Sequence, residues 1–487
     1  MTSFDRSPSD ARRAISRRVI LKFTGAGAAL AAASLLQACG STASTSTPVP
    51  LATAAPAAPA KPTTAPTTAP KATQAAVMTT TPQAAAQPTG EQITLNIAAV
   101  KVAQTVWVDS FQKIWGDYQK QNPNVKLQIE EDPFGGFDVK MLTAVAGGAI
   151  FDLIYGWGQW LPTWSERDVI QPLDSFMKQD KSFDITNYHQ DYFETWKGKT
   201  YGIPWFVSLL YMYYNKSALH DAGADDPQDL EKQGKWTWEN ARAVAAKASK
   251  GTGVNRVYGI QNLIDSGSGV ILAIAAPWAW GTDLYSSDMT KSLFADQKWI
   301  DAVQFQMDMI YTDHSEPLPS ETKQEGGPSF LNGKMLMVFQ YPSFNRTVVE
   351  GKPQFTVAEV PLPKGPGGRS APILDNSWYF GAHTKYPDQV WKLNSYLIGP
   401  HGQELVVPLG ERYPVDKRIK PTTEYPFESV DVINFTSTIG KPIPLIKPEA
   451  KFETAFTTAM DAIVLKQKTV QQGLTDLARQ ADDLLKG

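Results

Sequence analysis

The side chains best suited to chemistry in this sequence are aromatic rings and planar hydrogen-bonding groups that follow short apolar runs. Trp157, Gln159 and Trp160 come just after Asp152-Leu153-Ile154-Tyr155, and Glu131 and Asp132 come after Val125 to Glu130. Tyr341 and Phe344 follow Met335 to Gln340, while Trp205 follows the turn at Gly202-Ile203-Pro204. Asp375, Asn376 and Trp378 stand together in Leu374-Asp375-Asn376-Ser377-Trp378, Arg412 lies further on, and Trp278 and Trp280 form another aromatic pair. Rings offer apolar faces for stacking, carboxylates accept hydrogen bonds, and carboxamides both donate and accept. The chemistry these types support is noncovalent recognition of a small molecule with flat apolar faces and polar edges. The same rings are also what fills a core, and the same carboxylates can be solvated loop charges.

Covalent chemistry has less to stand on. Neither a G-x-S-x-G elbow nor an H-E-x-x-H helix is present, and the five histidines (His189, His220, His314, His383, His401) are scattered singly. A single cysteine, Cys39, excludes a disulfide framework and any cysteine-based metal cluster, so neither metal nor cofactor is expected. Gly365-Pro366-Gly367-Gly368-Arg369 lacks the Lys-Ser/Thr of a phosphate-cradling loop and reads as a surface turn. Lys plus Arg total 46 against 49 Asp plus Glu, which removes the electrostatic field of a nucleic-acid binder.

The elements that must position these side chains begin at residue 91. Ile93 to Ala98 alternates like a strand, Val106 to Gln121 has helical spacing stopped by Asn122-Pro123, and Val125 to Glu130 reads as a second strand. A helix from Asp138 to Ala149 and a short buried strand at Asp152 to Tyr155 complete a parallel α/β pattern. Ligands of open sheets bind beyond the carboxyl ends of strands, here Ala98 to Ala103, Glu131 to Phe134 and Gly156 to Trp160. Further on, a strand is expected at Leu209 to Tyr214 and another at Met335 to Gln340. Helices are expected at Asn240 to Ser249, Trp299 to Tyr311, Asp388 to Ile398 and Phe452 to Lys466.

The first ninety residues have a different character. A basic start precedes an apolar run from Phe23 to Leu36, shorter than the ~20 residues of a membrane-spanning helix, which outlines an export signal over residues 1–38. Ser16 to Lys22 resembles the twin-arginine motif, with Ile20 where an aromatic is usual, leaving the general secretory route open. Leu36-Gln37-Ala38-Cys39 resembles a lipobox, which would make Cys39 the lipidated N-terminus and give a stable membrane anchor. Of the 50 residues from Ser41 to Gly90, 40 are Ala, Thr, Pro or Ser, with no aromatic and no acid, so residues 39–90 are expected to be a disordered tether.

Three stretches carry a resemblance that spans nearly all of residues 91–487. They are Gly198-Lys199-Thr200-Tyr201-Gly202-Ile203-Pro204 with Tyr211-Met212-Tyr213-Tyr214-Asn215-Lys216; Phe330-Leu331-Asn332-Gly333-Lys334 with Met335-Leu336-Met337; and Val390-Trp391-Lys392 to Leu397 with Gly399-Pro400-His401-Gly402-Gln403. In order and spacing they resemble the extracellular solute-binding proteins of family 1, carbohydrate-binding lipoproteins of ABC importers. That resemblance implies an α/β fold of the periplasmic-binding-protein type II, with two lobes joined by hinge crossings and the ligand in the cleft between them. The first lobe would comprise 91–208 and 340–397, and the second 209–339 and 398–487. It further implies capture of a carbohydrate or related small solute by hinge closure, delivery to ABC permease subunits, no catalysis, and a monomer at the outer face of the cytoplasmic membrane. A sugar ring would use aromatic platforms and bidentate acceptors, so the aromatic and polar residues named above become the expected ligand contacts, Trp157 and Trp378 foremost. A surface-anchored carbohydrate-active enzyme remains the alternative, because such an enzyme needs only two suitably separated carboxylates among many acids.

Overall fold

The computed structural model describes residues 91–101, 105–133, 135–264, 269–406, 413–423, 425–445 and 449–486. The expected signal, the tether and Cys39 lie outside the described residues, as does Arg412. Strands β1 (Ile93–Val100), β2 (Val125–Asp132) and β3 (Leu153–Gly156) pair in parallel, with β1 in the middle. Leu95 and Ile97 are buried, as the alternation of β1 requires. The crossovers are the helices Thr105–Gln121 and Phe137–Ala146. The second ends at Gly147 and Gly148, the latter in the left-handed region at φ 89° where a side chain would be strained.

The remaining strands are β4 (Ile170–Gln171), β5 (Glu194–Trp196), β6 (Lys199–Gly202), β7 (Pro204–Leu209), β8 (Tyr211–Asn215), β9 (Met337–Gln340) and β10 (Val357–Val360). They are followed by β11 (Ala371–Gly381), β12 (Tyr413–Pro414) and β13 (Gly440–Pro442). One sheet runs in the order β12-β7-β11-β3-β1-β2, with β4 and β13 also pairing β11. A second sheet has the order β10-β8-β9, and β5 and β6 form a separate ribbon. The expected single strand Leu209 to Tyr214 is the passage from one sheet to the other: β7 ends at Leu209, Leu210 is the joint, and β8 starts at Tyr211. Every residue of β7 and β8 is buried, so no alternation marked where one strand stopped.

Strand pairing also corrects the expected lobe limits. The expected return to the first lobe at residue 340 does not occur there: β9 and β10 both pair antiparallel with β8, and the helix Phe344–Gly351 buries Val348 in the core shared with Tyr211 and Tyr213. The chain re-enters the large sheet only at β11, which pairs antiparallel with β3 and β7 and makes that sheet mixed. Nor does the second lobe resume at residue 398, since Val406 and Val415 belong to the core under the large sheet and β12 pairs β7. Short buried segments carry no label for the sheet they join; only hydrogen-bond partners separate them.

The first core, around Leu95, Ile154, Trp164, Trp205 and Trp378, lies with the large sheet. A second surrounds Met212, Trp236, Trp238 and Phe339 against the three-stranded sheet. A helical core joins Trp278, Phe294 and Trp299 to Phe452, Phe456 and Leu474 from the helices Glu449–Val464 and Val470–Lys486.

Candidate ligand-binding cleft

A cavity of about 510 Å3 opens between these bodies. Gly135, Gly136, Asp138, Gln159, Trp160 and Asp375 line it from the large-sheet side. Val270, Ile271, Phe452, Glu453, Thr454 and Thr457 line it from the helical core, and Ile443, Pro444 and Leu445 close one end. The volume falls within the range of small-molecule sites, and two independently cored parts contribute to its walls.

Its large-sheet wall is built by pairing β3 with β11. After Gly156 the chain turns through a single 3-10 turn, Gly158–Trp160, and the antiparallel register of Trp378 with Tyr155 brings Asp375 beside that turn. The Gly158 N–H donates to Asp375 Oδ1 at 2.8 Å. Glycine is needed at 158 because a Cβ there would run into the Asp375 carboxylate. Burial pushes the Asp375 carboxyl above its ordinary range, and the Gly158 N–H draws it partly back. Trp160 is 6% exposed and is held by Trp157 at 4.9 Å, Trp164 at 5.2 Å and Phe137 at 5.8 Å between ring centroids, so its orientation is set before any ligand arrives.

Across the cavity, Glu453 accepts the Val270 N–H at 3.2 Å. Its carboxyl is raised by burial and lowered by that bond. Tyr341, which follows β9, packs against the second core with its hydroxyl buried and lacking a partner. Burial raises that hydroxyl, and the Asp375 charge raises it further, but Tyr341 is not among the residues lining the cavity.

Of the residues expected at the site, Gln159, Trp160 and Asp375 line this cavity. Trp157 is half-buried behind Trp160 and Tyr155, one ring removed from the lining. Corrections apply to the others. Glu131 is exposed at the end of β2, and Asp132 is tied with Glu130 to Lys140 at 2.5 Å, because the strand end meets the first turn of the next helix. Trp205 and Trp378 are 0% exposed and belong to the first core; Trp205 Nε1 donates to the Gly402 carbonyl at 3.3 Å. Asn376 points the opposite way from Asp375 along β11 and accepts the Tyr155 hydroxyl at 2.7 Å. Trp278 and Trp280 are core residues. Phe344 packs on Tyr213 and Phe330 and lines a different cavity, of about 320 Å3.

The lining residues not anticipated are mainly Asp138 and the helix Glu449–Val464. On that helix Phe452, Phe456 and Met460 form the buried stripe, and Glu453, Thr454 and Thr457 lie one position round from it. Small polar residues bordering an apolar stripe are the usual composition of any half-exposed helix flank, so they carried no distinguishing mark.

The cavity thus lies between a wall built on the large sheet and a wall built on the helical core. The family model for bacterial extracellular solute-binding proteins matches residues 104–404, and the chain belongs to that family. A binding protein of Brucella abortus (strain 2308) is 24% identical over 387 residues, covering 77% of this chain and 90% of the relative. The Listeria monocytogenes ABC substrate-binding protein in complex with cycloalternan superposes with a TM-score of 0.67 at 16% identity, over 81% of this chain and 100% of that one. The sugar-binding protein MalE of Xanthomonas citri does so with a TM-score of 0.67 at 20% identity, over 81% of this chain and 97% of the other. These likenesses establish the periplasmic-binding type II fold. Among the described residues no helix is long and apolar enough to cross a membrane.

Proposed function

We propose that this protein captures a carbohydrate in the cavity between Trp160, Gln159 and Asp375 on one side and Glu453, Thr454 and Thr457 on the other, and hands it unchanged to an ABC permease. The observation that carries this reading is the convergence of a locked indole with carboxylate, carboxamide and hydroxyl groups from separately cored bodies on one cavity. An indole face suits the C–H face of a sugar ring, and the polar groups suit its hydroxyl edge. Because the two walls belong to different cores, a ligand touching both binds the closed arrangement better than the open one and shifts the population toward it. Structural neighbours were solved with cycloalternan and with maltotriose, which supports a sugar here. Cys39, lipidated, would keep the body at the outer membrane face, with the Ala/Thr/Pro-rich segment as its tether.

A thermal-shift screen against mono-, di- and oligosaccharides tests the proposal. A sugar at 100 times its Kd adds about 2.7 kcal/mol to stability and raises the midpoint. Recovery of the bound sugar chemically intact after prolonged incubation distinguishes capture from hydrolysis. A panel in which no sugar moves the midpoint, or one in which products accumulate, would overturn the reading.

A further inference from the structure

Beneath the cavity wall lies a second carboxyl that touches no ligand. Glu194 on β5 is 5% exposed and pairs opposite Gly202 on β6. Above it, Asp375, Ser377 and Tyr379 succeed one another at two-residue intervals on β11. The Ser377 hydroxyl donates to Glu194 Oε1 at 2.8 Å. Glu194 Oε2, though fully shielded from solvent, has no hydrogen-bond partner, and neither does the Tyr379 hydroxyl. The space Oε2 occupies exists only because residue 202 is glycine, since a Cβ there would collide with it.

A buried carboxylate oxygen without a donor is costly, whereas the same oxygen carrying a proton becomes a donor itself. Besides Ser377, the groups Glu194 meets are the Tyr379 hydroxyl and the Asp375 carboxylate, and of these Asp375, which already receives the Gly158 N–H and has lone pairs to spare, is the charged acceptor. We propose that Glu194 is a positioning residue for ligand binding: held neutral, it donates from Oε2 to Asp375 and fixes the ionised Asp375 carboxylate with a remaining lone pair turned into the cavity. Glu194 would thereby share one negative charge with Asp375 rather than add a second. Burial and then the Asp375 charge raise Glu194, the Tyr379 and Ser377 hydroxyls lower it without reversing the shift, and the contact with Glu194 lowers Asp375. The titratable groups facing Glu194 are Asp375 and Tyr379 from β11; β6 offers only the glycine, and Tyr341 approaches Asp375 from the second sheet.

This inference rests on Asp375 being a ligand contact, so its test is built in two separable arms. The first needs no ligand. Infrared difference spectra of the full chain at neutral pH are expected to show the carbonyl stretch of a buried protonated carboxylic acid, absent in Glu194→Gln and retained in Asp375→Asn. The reverse pattern, or no protonated carboxyl in the unaltered chain, overturns the proposal whatever the ligand. The second arm uses the oligosaccharide giving the largest thermal shift in the screen. Glu194→Gln keeps a donor at the same place and should hold Kd within about twofold, whereas Glu194→Leu, without one, should weaken it about tenfold. Affinity of the unaltered chain should decline on the alkaline side as Glu194 ionises, and in Glu194→Gln that decline should vanish. An alkaline decline unchanged in Glu194→Gln overturns the proposal, and this comparison stands even if Glu194→Leu does not fold. Failure of every sugar to bind would refute the carbohydrate reading while leaving the infrared result to decide the role of Glu194.

Discussion

Replacing Trp378 by alanine separates core from cleft most sharply, because the sequence offered it as a ligand platform and the structure places it in a core. Its indole is 0% exposed and packs within 4.9 Å of Tyr155, 5.4 Å of Trp115 and 6.1 Å of Trp205, centroid to centroid. Truncating a buried tryptophan removes transfer energy and leaves a cavity, together costing about 3–5 kcal/mol. The unfolding entropy of roughly 400 ordered residues is about 0.8 kcal/mol per degree, so the midpoint should fall by about 4–6 °C. Gln159→Ala supplies the contrast. Gln159 is half-buried, lines the cavity and supports no core, so its loss should change stability by less than about 0.5 kcal/mol. Losing one ligand hydrogen bond there should raise Kd about 2- to 12-fold. Differential scanning calorimetry of both variants, with and without the best sugar of the screen, reads both quantities. A Trp378→Ala protein with its midpoint intact and its sugar response gone would refute the assignment of that ring to the core, and with it the account of the β3–β11 wall.

Three other expectations follow from the same geometry. Gly158→Ala drives a Cβ into the Asp375 carboxylate and displaces the N–H that holds it, so sugar affinity should drop at least about tenfold by isothermal titration calorimetry. Asp375→Asn keeps the shape and an acceptor for that N–H but removes the charge; Kd should rise about tenfold while the ligand-free midpoint stays the same or rises, since a desolvated charge has gone. Glu359, 0% exposed, is raised well above the usual carboxyl range by burial and then by the Glu428 charge. The folded state therefore binds its proton more tightly than the unfolded chain, and between the ordinary carboxyl range and the raised folded value stability falls as pH rises, by at most about 1.4 kcal/mol per pH unit for this one group. Denaturant unfolding across that range should give a shallower decline for Glu359→Gln, and an identical slope would show that Glu359 is ionised in both states.

How much could be read in advance depended on how far each signal reached along the chain. The pattern from Ile93 to Tyr155 was legible because each element carried its own period and its own stop, such as Asn122-Pro123 and Gly147-Gly148, and the observed elements agree to within a few residues. Strand β11 was not anticipated as a strand, although it pairs with β3, β4, β7 and β13 and supplies Asp375. Ala371–Gly381 is enclosed on both sides by partners distant in the chain, so its residue types answer to several neighbours at once and show no simple alternation. The helix Val470–Lys486 was legible but not anticipated: Val470, Leu474, Leu477 and Ala481 recur at regular helical spacing among Gln, Asp and Arg.

By itself, the order of apolar runs, turns and motifs carried the resemblance to the solute-binding proteins, and the Ala-, Thr- and Pro-rich composition of residues 41–90 set that stretch apart from the rest of the sequence. Those are properties of local composition and of spacing, and each can be read without knowing what lies opposite. Which of the described tryptophans faces the cavity was decided only by tertiary structure. Trp160 and Trp378 are the same residue type, but one closes a 3-10 turn beyond a strand end, whereas the other packs in the core onto Trp115 and Trp205. A side chain's face depends on strand register, and register is set by partners hundreds of residues away, as when β11 lays Trp378 against Tyr155. The pairing of Glu194 with Asp375 is of the same kind, because two acids separated by so much chain become neighbours only when the ribbon of β5 and β6 closes beneath β11.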